Sequence, residues 1–396
     1  MIYLDYNATT PIADEVREHM LPYLSDYFGN PSSIHFVGRK AKKAMDDARK
    51  QVALTLNCDT EEVYFTSGGT ESNNWAIKGV ALANRHKGNH IVTSSVEHPA
   101  VLKVCDYLEK EFGFRITKLP VDRVGRVRCE ELSEALSPDT VLVTIMHANN
   151  EVGTLQPISD ISIVCRERGI YLHTDASQSV GKVSTDVREL GVDLLTIAAH
   201  KLYGPKGVLY VKRGTVMEKF MHGAGHESDR RAGTENVLFM AGLGKACEIA
   251  RRDLEENIRH CRKNRDLLLD LFRQRFEVFE DAESAMSSPK SDRIQVLING
   301  DLQLGLPNTL SASFRGIIAN QILHRLSEQL AASAGSACHS DVITISSVLE
   351  AMAVPHEFAM GTIRFSTGRM TTEPELHLAV ELLETTLLDV TRSDLH

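Results

Sequence analysis

From Val63 to Val211 the chain repeats one rhythm: a short apolar or β-branched run, a turn of small or polar residues, then a longer stretch with apolar positions at helical spacing. Strands are predicted at Val63–Thr66, His90–Ser94, 114–118, 141–145, Tyr171–Asp175, Leu194–Ala198 and Gly207–Val211. Several are apolar throughout, the pattern of strands covered on both faces. Helices are predicted between them at 71–84, 98–112 and 158–168. The implied fold is α/β, a mostly parallel seven-stranded sheet flanked by helices.

A charged stretch over residues 240–276, with apolar residues at helical spacing, carries the chain out of this unit. Beyond it come a helix near 317–330, an Ala/Ser/Gly-rich loop around Cys338 and a last helix over 373–390. These predict a smaller α+β domain made of residues 1–15 and 259–396, beside a large domain of residues 16–258.

Composition narrows the class. With 42% apolar and 24% charged residues, the chain requires neither a disordered nor a fibrous reading. No run of eighteen apolar residues occurs, and the N-terminus lacks a basic region followed by an apolar stretch, so no membrane segment and a cytoplasmic location are expected. A net charge of -9 gives no reason to expect nucleic acid as a partner. The seven cysteines include no C-x-x-C pair, which argues against a disulfide framework and a metal cluster. His222 and His226 have H-x-x-x-H spacing, but the glycines between them and the lack of a third ligand favour a plain loop, so no metal is expected.

Three segments carry candidate chemistry. Ser67-Gly-Gly-Thr70 joins a strand to a helix, where free backbone N–H groups, hydroxyls and the helix dipole suit a phosphate; a capped turn is the plainer reading. Without a P-loop lysine or a G-x-G-x-x-G pattern, ATP and NAD are disfavoured. Asp175 ends a predicted strand, where a carboxylate can hold the protonated nitrogen of a pyridine cofactor or cap the next helix. Gln178, three residues on, can donate to a ring oxygen or face solvent. Lys201 leaves another strand before a Gly-Pro turn, so it emerges at the same sheet edge; a desolvated lysine there has the lowered pKa needed for covalent work on a carbonyl. Lys206, inside the turn, is a rival by composition alone.

Four more residues stand out. His98 opens a helix after a strand and can stack on an aromatic ring or be structural. Asn149 offers polar contacts or a turn. Arg364, bracketed by apolar residues, suits a carboxylate. Cys338, among small polar residues and beside His339, has the access a nucleophilic thiol needs.

Together, Tyr3-Leu-Asp-Tyr-Asn-Ala-Thr-Thr10, Gly29-Asn-Pro-Ser-Ser33, Ser67-Gly-Gly-Thr-Glu71, Glu97-His98, Asn149-Asn-Glu151, Asp175-Ala-Ser-Gln178, His200-Lys201, Arg231-Ala-Gly-Thr234 and Gly335-Ser-Ala-Cys338 make the chain resemble the class V, fold-type I pyridoxal-phosphate enzymes of the NifS-like group. That group comprises cysteine desulfurases and selenocysteine lyases, which take sulfur or selenium from L-cysteine or L-selenocysteine and leave alanine. The resemblance makes Lys201 the lysine that binds pyridoxal 5'-phosphate covalently. It pairs Asp175 with the ring nitrogen, Gln178 with the phenolic oxygen and His98 with the ring face. It puts Gly69, Thr70 and His200 at the phosphate, and gives Thr234 to the phosphate of a neighbouring subunit. Asn149 and Arg364 hold the substrate carboxylate, and Cys338 attacks the chalcogen. A homodimer and an acceptor protein for sulfur or selenium are also implied. Ala198 departs from the group's frequent serine two residues before the His-Lys pair, a phosphate ligand. His339 and Asp341 after the cysteine, the run Thr144–Asn150, Leu306-Pro-Asn-Thr309 and Phe314-Arg-Gly316 look more like selenocysteine lyases, so the sequence leans that way, with cysteine desulfurase, a pyridoxal-phosphate aminotransferase and a non-catalytic sulfur-carrier scaffold as the alternatives.

Overall fold

The computed structural model describes residues 1–289, 291–339 and 342–393. Asp341 lies outside them, as do the side chains of residues 336–343, including those of Cys338 and His339.

Seven strands, β1 (Val63–Thr66), β2 (His90–Ser94), β3 (Arg115–Leu119), β4 (Thr140–Thr144), β5 (Tyr171–Asp175), β6 (Leu194–Ala198) and β7 (Gly207–Val211), form one sheet in the order β1-β7-β6-β5-β4-β2-β3. Pairings from β3 through β6 are parallel, and only β7 runs against its neighbours. β1, β2, β4, β6 and β7 are buried at every residue, which is why their sequences do not alternate. β3, on the edge, keeps an exposed arginine and lysine that discourage further pairing.

Helices cover both faces. Met45, Val52 and Leu56 of α1 (Phe36–Leu56) pack with Val63 and Phe65 of β1, while the intervening Tyr64 joins Trp75, Ile77 and Val80 of α2 (Gly69–Asn84) on the other side. α3 (Pro99–Phe112) adds Val101, Val104 and Leu108 to the second layer; α4 (Ile158–Glu167) and α5 (Val237–Arg252) complete the first. The stretch of helical spacing over 240–276 falls in two helices. Asp253 adopts non-helical angles between α5 and α6 (Leu254–Arg275), accepting from Asn257 N at 2.9 Å while donating to Ile249 O at 2.9 Å.

A second core surrounds a five-stranded sheet made of β8 (Glu277–Phe279), β9 (Gln295–Asn299), β10 (Thr309–Phe314), β11 (Ser333–Ala334) and, after an intervening hairpin of β12 (Ser336–His339) and β13 (Val342–Ile345), β14 (Thr362–Ser366). Phe272 of α6, Phe314, Phe365 and Leu383 of α7 (Glu373–Ser393) fill it, together with Ile2 and Leu4 from the N-terminus. The helix predicted near 317–330 is only Ala319–Arg325, because Leu330–Ala331 is drawn into a parallel ladder with Ile2–Tyr3. The loop expected at Cys338 is instead β12, with Cys338 registered opposite Ile343.

Candidate active site

The carboxyl ends of β5 and β6, the N-termini of α2 and α3 and the N-terminal segment enclose a cavity of about 330 Å³. This is where an open α/β sheet binds ligands. Of the residues singled out in the sequence, Gly69, Thr70, His98, Asp175, Gln178, His200, Lys201 and Arg364 line it.

Asp175 closes β5 and is 6% exposed. Its Oδ2 accepts from Asn73 Nδ2 at 2.7 Å and its Oδ1 from the backbone N–H of Ser177 at 2.9 Å. Both bonds fix its direction. Asn73 itself sits one helical turn beyond Thr70, so α2 presents a phosphate-binding end and a brace for Asp175 on the same face.

Lys201 ends the short turn after β6. Burial holds its ammonium below the usual lysine range; Asp175 pulls it back up and Arg364 pushes it further down. Among the described residues its Nζ has no hydrogen-bond acceptor, so the amine is directed at the cavity rather than committed to the protein. His98 caps α3, its Nδ1 accepting from Ala100 N at 3.1 Å, which places the single proton of the neutral ring on Nε2. Burial lowers its pKa, as does the nearby Lys201, while Asp175 opposes them. His200 is likewise lowered by burial, then by Lys201 and Lys182, and its Nδ1 lies 3.2 Å from Thr9 Oγ1.

Gly69 and Thr70 are the first residues of α2, whose free N–H groups and dipole face the cavity. A Cβ on Gly69 would come within 3.1 Å of both Ala198 Cβ and Ser177 Oγ, so glycine permits the helix start to approach the strand ends. The hydroxyl missing at Ala198 thus has a neighbour in Ser177, which also lines the cavity.

Arg364 closes the opposite end, 9% exposed. Its Nη2 donates to Asp5 Oδ1 at 2.7 Å and Ser333 Oγ at 2.9 Å, its Nη1 to Asn150 O at 2.8 Å, and its buried Nε has no partner among the described residues.

Three expectations need correction or restriction. Asn149 does not line the cavity: its Oδ1 accepts from the N–H groups of Glu151 and Val152 at 2.8 and 2.9 Å, serving the turn, and its Nδ2 donates to Val96 O at 3.1 Å, tying the turn to the segment before His98. Asn150 faces the cavity in its place. Thr234 is exposed and outside the cavity of its own chain. The Cys338 side chain lies outside the described residues. Lys206, in a left-handed turn conformation (φ 74°), does not reach the cavity. Asn7, Asn73 and Ser177 escaped the sequence reading; for Asn73 the signal was its helical spacing from Thr70.

Known proteins decide the family. Residues 2–378 match the model of the aminotransferase class-V family. The chain belongs to that family. It is 47% identical over 386 residues to "Cysteine desulfurase IscS" of Dictyoglomus turgidum, covering 97% of this chain and 93% of that protein. It is also 45% identical over 385 residues to the protein of the same name from Methanosarcina thermophila, covering 96% and 91%. Among solved structures, a "NifS-like protein" superposes with a TM-score of 0.87 at 35% identity, covering 98% of this chain and 99% of that one. "SspA in complex with cysteine" does so with 0.77 at 33% identity, covering 94% and 100%. The chain is therefore a fold-type I, pyridoxal-phosphate-dependent enzyme of the NifS-like cysteine desulfurase group.

The cavity fits that cofactor. An uncommitted, lowered-pKa lysine for the aldehyde, an acceptor-only carboxylate for a pyridinium N–H and a helix N-terminus for the phosphate share one space of about 330 Å³. Among the described residues there is no group of three or more metal-ligating side chains and no helix long and apolar enough to cross a membrane.

Proposed function

We propose that this enzyme is a cysteine desulfurase: it takes sulfur from L-cysteine, parks it on Cys338 as a persulfide and releases L-alanine. The observation that carries the reading is the shared cavity of Lys201, Asp175 and Arg364, with a lysine whose pKa is lowered by burial. The relatives named for cysteine desulfuration support sulfur over the selenium preference suggested by the motif after Cys338.

Bound pyridoxal phosphate supplies an electron-withdrawing ring that spreads the charge developing at the substrate Cα. Lys201 would hold the cofactor through its Nζ, and the same amine, when free, would take the proton from the substrate Cα. Asp175, oriented by Asn73 and Ser177, keeps the proton on the ring nitrogen. Arg364 offers its guanidinium to the substrate carboxylate, with Asp5 and Ser333 holding the group in place. The Cys338 thiolate forms a bond to the substrate sulfur, the Cβ–S bond breaks with its electron pair moving toward carbon, and protonation of that carbon yields alanine.

Thr234 contacts the cofactor phosphate of a second subunit in this reading, which suits its exposure, and an acceptor protein later relieves Cys338 of its sulfur. The test is alanine formation from L-cysteine and L-selenocysteine side by side, with wild type and Cys338→Ala. Loss of cysteine turnover with retained selenocysteine turnover supports a thiol that attacks sulfur. Equal loss with both removes that distinction, and faster wild-type turnover of selenocysteine restores the lyase reading.

A further inference from the structure

Lys182 is 6% exposed and has no part in the chemistry above. It lies four residues after Gln178, just past the end of β5. Its Nζ donates to Gln178 Oε1 at 3.0 Å and to Asn7 Oδ1 at 3.1 Å. An ammonium has three donors and no acceptor, whereas a carboxamide has one accepting end and one donating end. Neither amide can turn over without exchanging a charge-assisted bond for N–H facing N–H. The consequence is fixed in both side chains. Gln178 Nε2 is directed to the carbonyl oxygen of Asn7 at 2.9 Å, on the wall of the 330 Å³ cavity, and its second N–H has no protein acceptor among the described residues. Asn7 Oδ1, which also accepts from Asn308 Nδ2 at 3.1 Å, leaves its own Nδ2 to donate to Thr309 Oγ1 at 2.8 Å.

The groups facing Lys182 come from separate elements. Burial pushes its pKa down to about 7, Lys201 and Arg364 push the same way, and Cys261 of α6 opposes them. Behind it a second cavity of about 10 Å³, also bordered by Tyr203, Cys261 and Arg369, has room for one water and little room for a repositioned side chain. A neutral amine still has one N–H for each of the two carboxamide oxygens, so the arrangement survives loss of the third proton.

We propose that Lys182 is a positioning residue whose N–H groups hold the Gln178 carboxamide with its nitrogen, not its oxygen, toward the ring oxygen of bound pyridoxal phosphate. This rests on the reading of Gln178 as the contact to that oxygen. An N–H there stabilises the ionised ring oxygen; a carbonyl oxygen repels it.

The experiment is a double-mutant cycle of Lys182→Met and Gln178→Leu in the cofactor-loaded enzyme. It reads the pH midpoint of the bound cofactor's absorbance change and the rate of cofactor release. Gln178→Leu is expected to move the midpoint by about one pH unit. Lys182→Met is expected to move it in the same direction when Gln178 is present and to have almost no further effect in the Gln178→Leu background. Lys182→Gln, which keeps N–H donors on a shorter stem, is expected to shift it less, and provides the comparison should the methionine variant not fold. Equal shifts from Lys182→Met in both backgrounds, or none with Gln178 present, overturn the positioning role alone. A wild-type midpoint in the Gln178→Leu single variant overturns the cofactor contact on which it rests.

Discussion

Glu97 gives the account its sharpest test outside catalysis. It is 3% exposed, between the end of β2 and His98. Its Oε1 accepts from Ser94 Oγ at 2.7 Å and from the N–H of Met146, a cavity residue, at 2.8 Å, while its buried Oε2 has no partner among the described residues. Burial drives its pKa from an ordinary 4.5 up to about 8; the two hydrogen bonds resist the rise and Asp175 adds to it. Between these values the folded chain keeps a proton that the unfolded chain has released, so stability falls as pH rises through the window. At 1.36 kcal/mol per unit, the three units from about pH 5 to about pH 8 amount to roughly 4 kcal/mol. Glu97→Gln matches the shape of the protonated acid and has nothing to ionise. Urea unfolding of both proteins across that range is the assay, and the difference between them cancels the opposite trends of His147 and His173, whose pKa values burial lowers to about 4, and of Lys182. The variant is expected to gain on wild type by roughly 4 kcal/mol as pH rises. Stability curves that stay parallel would refute an un-ionised Glu97.

Other expected outcomes follow from the same geometry. Lys201→Ala removes the covalent anchor, so borohydride reduction of the cofactor-loaded protein should no longer fix pyridoxal phosphate to the chain, and retained fixation would move the anchor elsewhere. Arg364→Lys replaces a fork with a point charge, and KM for L-cysteine should rise about 10- to 100-fold with a smaller change in kcat; an unchanged kcat/KM would remove Arg364 from substrate binding. Asn73→Ala deletes the 2.7 Å bond to Asp175 and leaves a buried carboxylate short of a donor. Stability should fall by about 1.5–3 kcal/mol, measured by urea unfolding, and a neutral result would show that Asn73 does not brace Asp175.

Local pattern made most of the fold and half of the site legible. Strands buried on both faces announce themselves as unbroken apolar runs, and Asp175 and Lys201 stand at their ends, so strand prediction also located the chemistry. The hairpin carrying Cys338 was hidden because the small residues 334–338 read as a loop, although Val342-Ile-Thr-Ile345 has the β-branched character of a strand. The broken helix at Asp253 was missed for a related reason: apolar spacing continues through a residue whose own angles stop the helix. Asn149 and Asn150 are adjacent in the sequence, and only the backbone decides which amide is consumed by the turn. The pairs Asp5–Arg364 and Asn7–Lys182 join residues 359 and 175 positions apart, separations that no local pattern encodes.

The central claim is that sulfur leaves the substrate by passing onto the thiol at position 338. Mass analysis of the peptide containing Cys338, after a brief exposure of the cofactor-loaded enzyme to L-cysteine without any acceptor, tests it most directly. One added sulfur atom on that peptide, matched by one alanine released per subunit, is the expected result. Alanine released while the peptide keeps its original mass, or sulfur found on a different cysteine, would contradict the account.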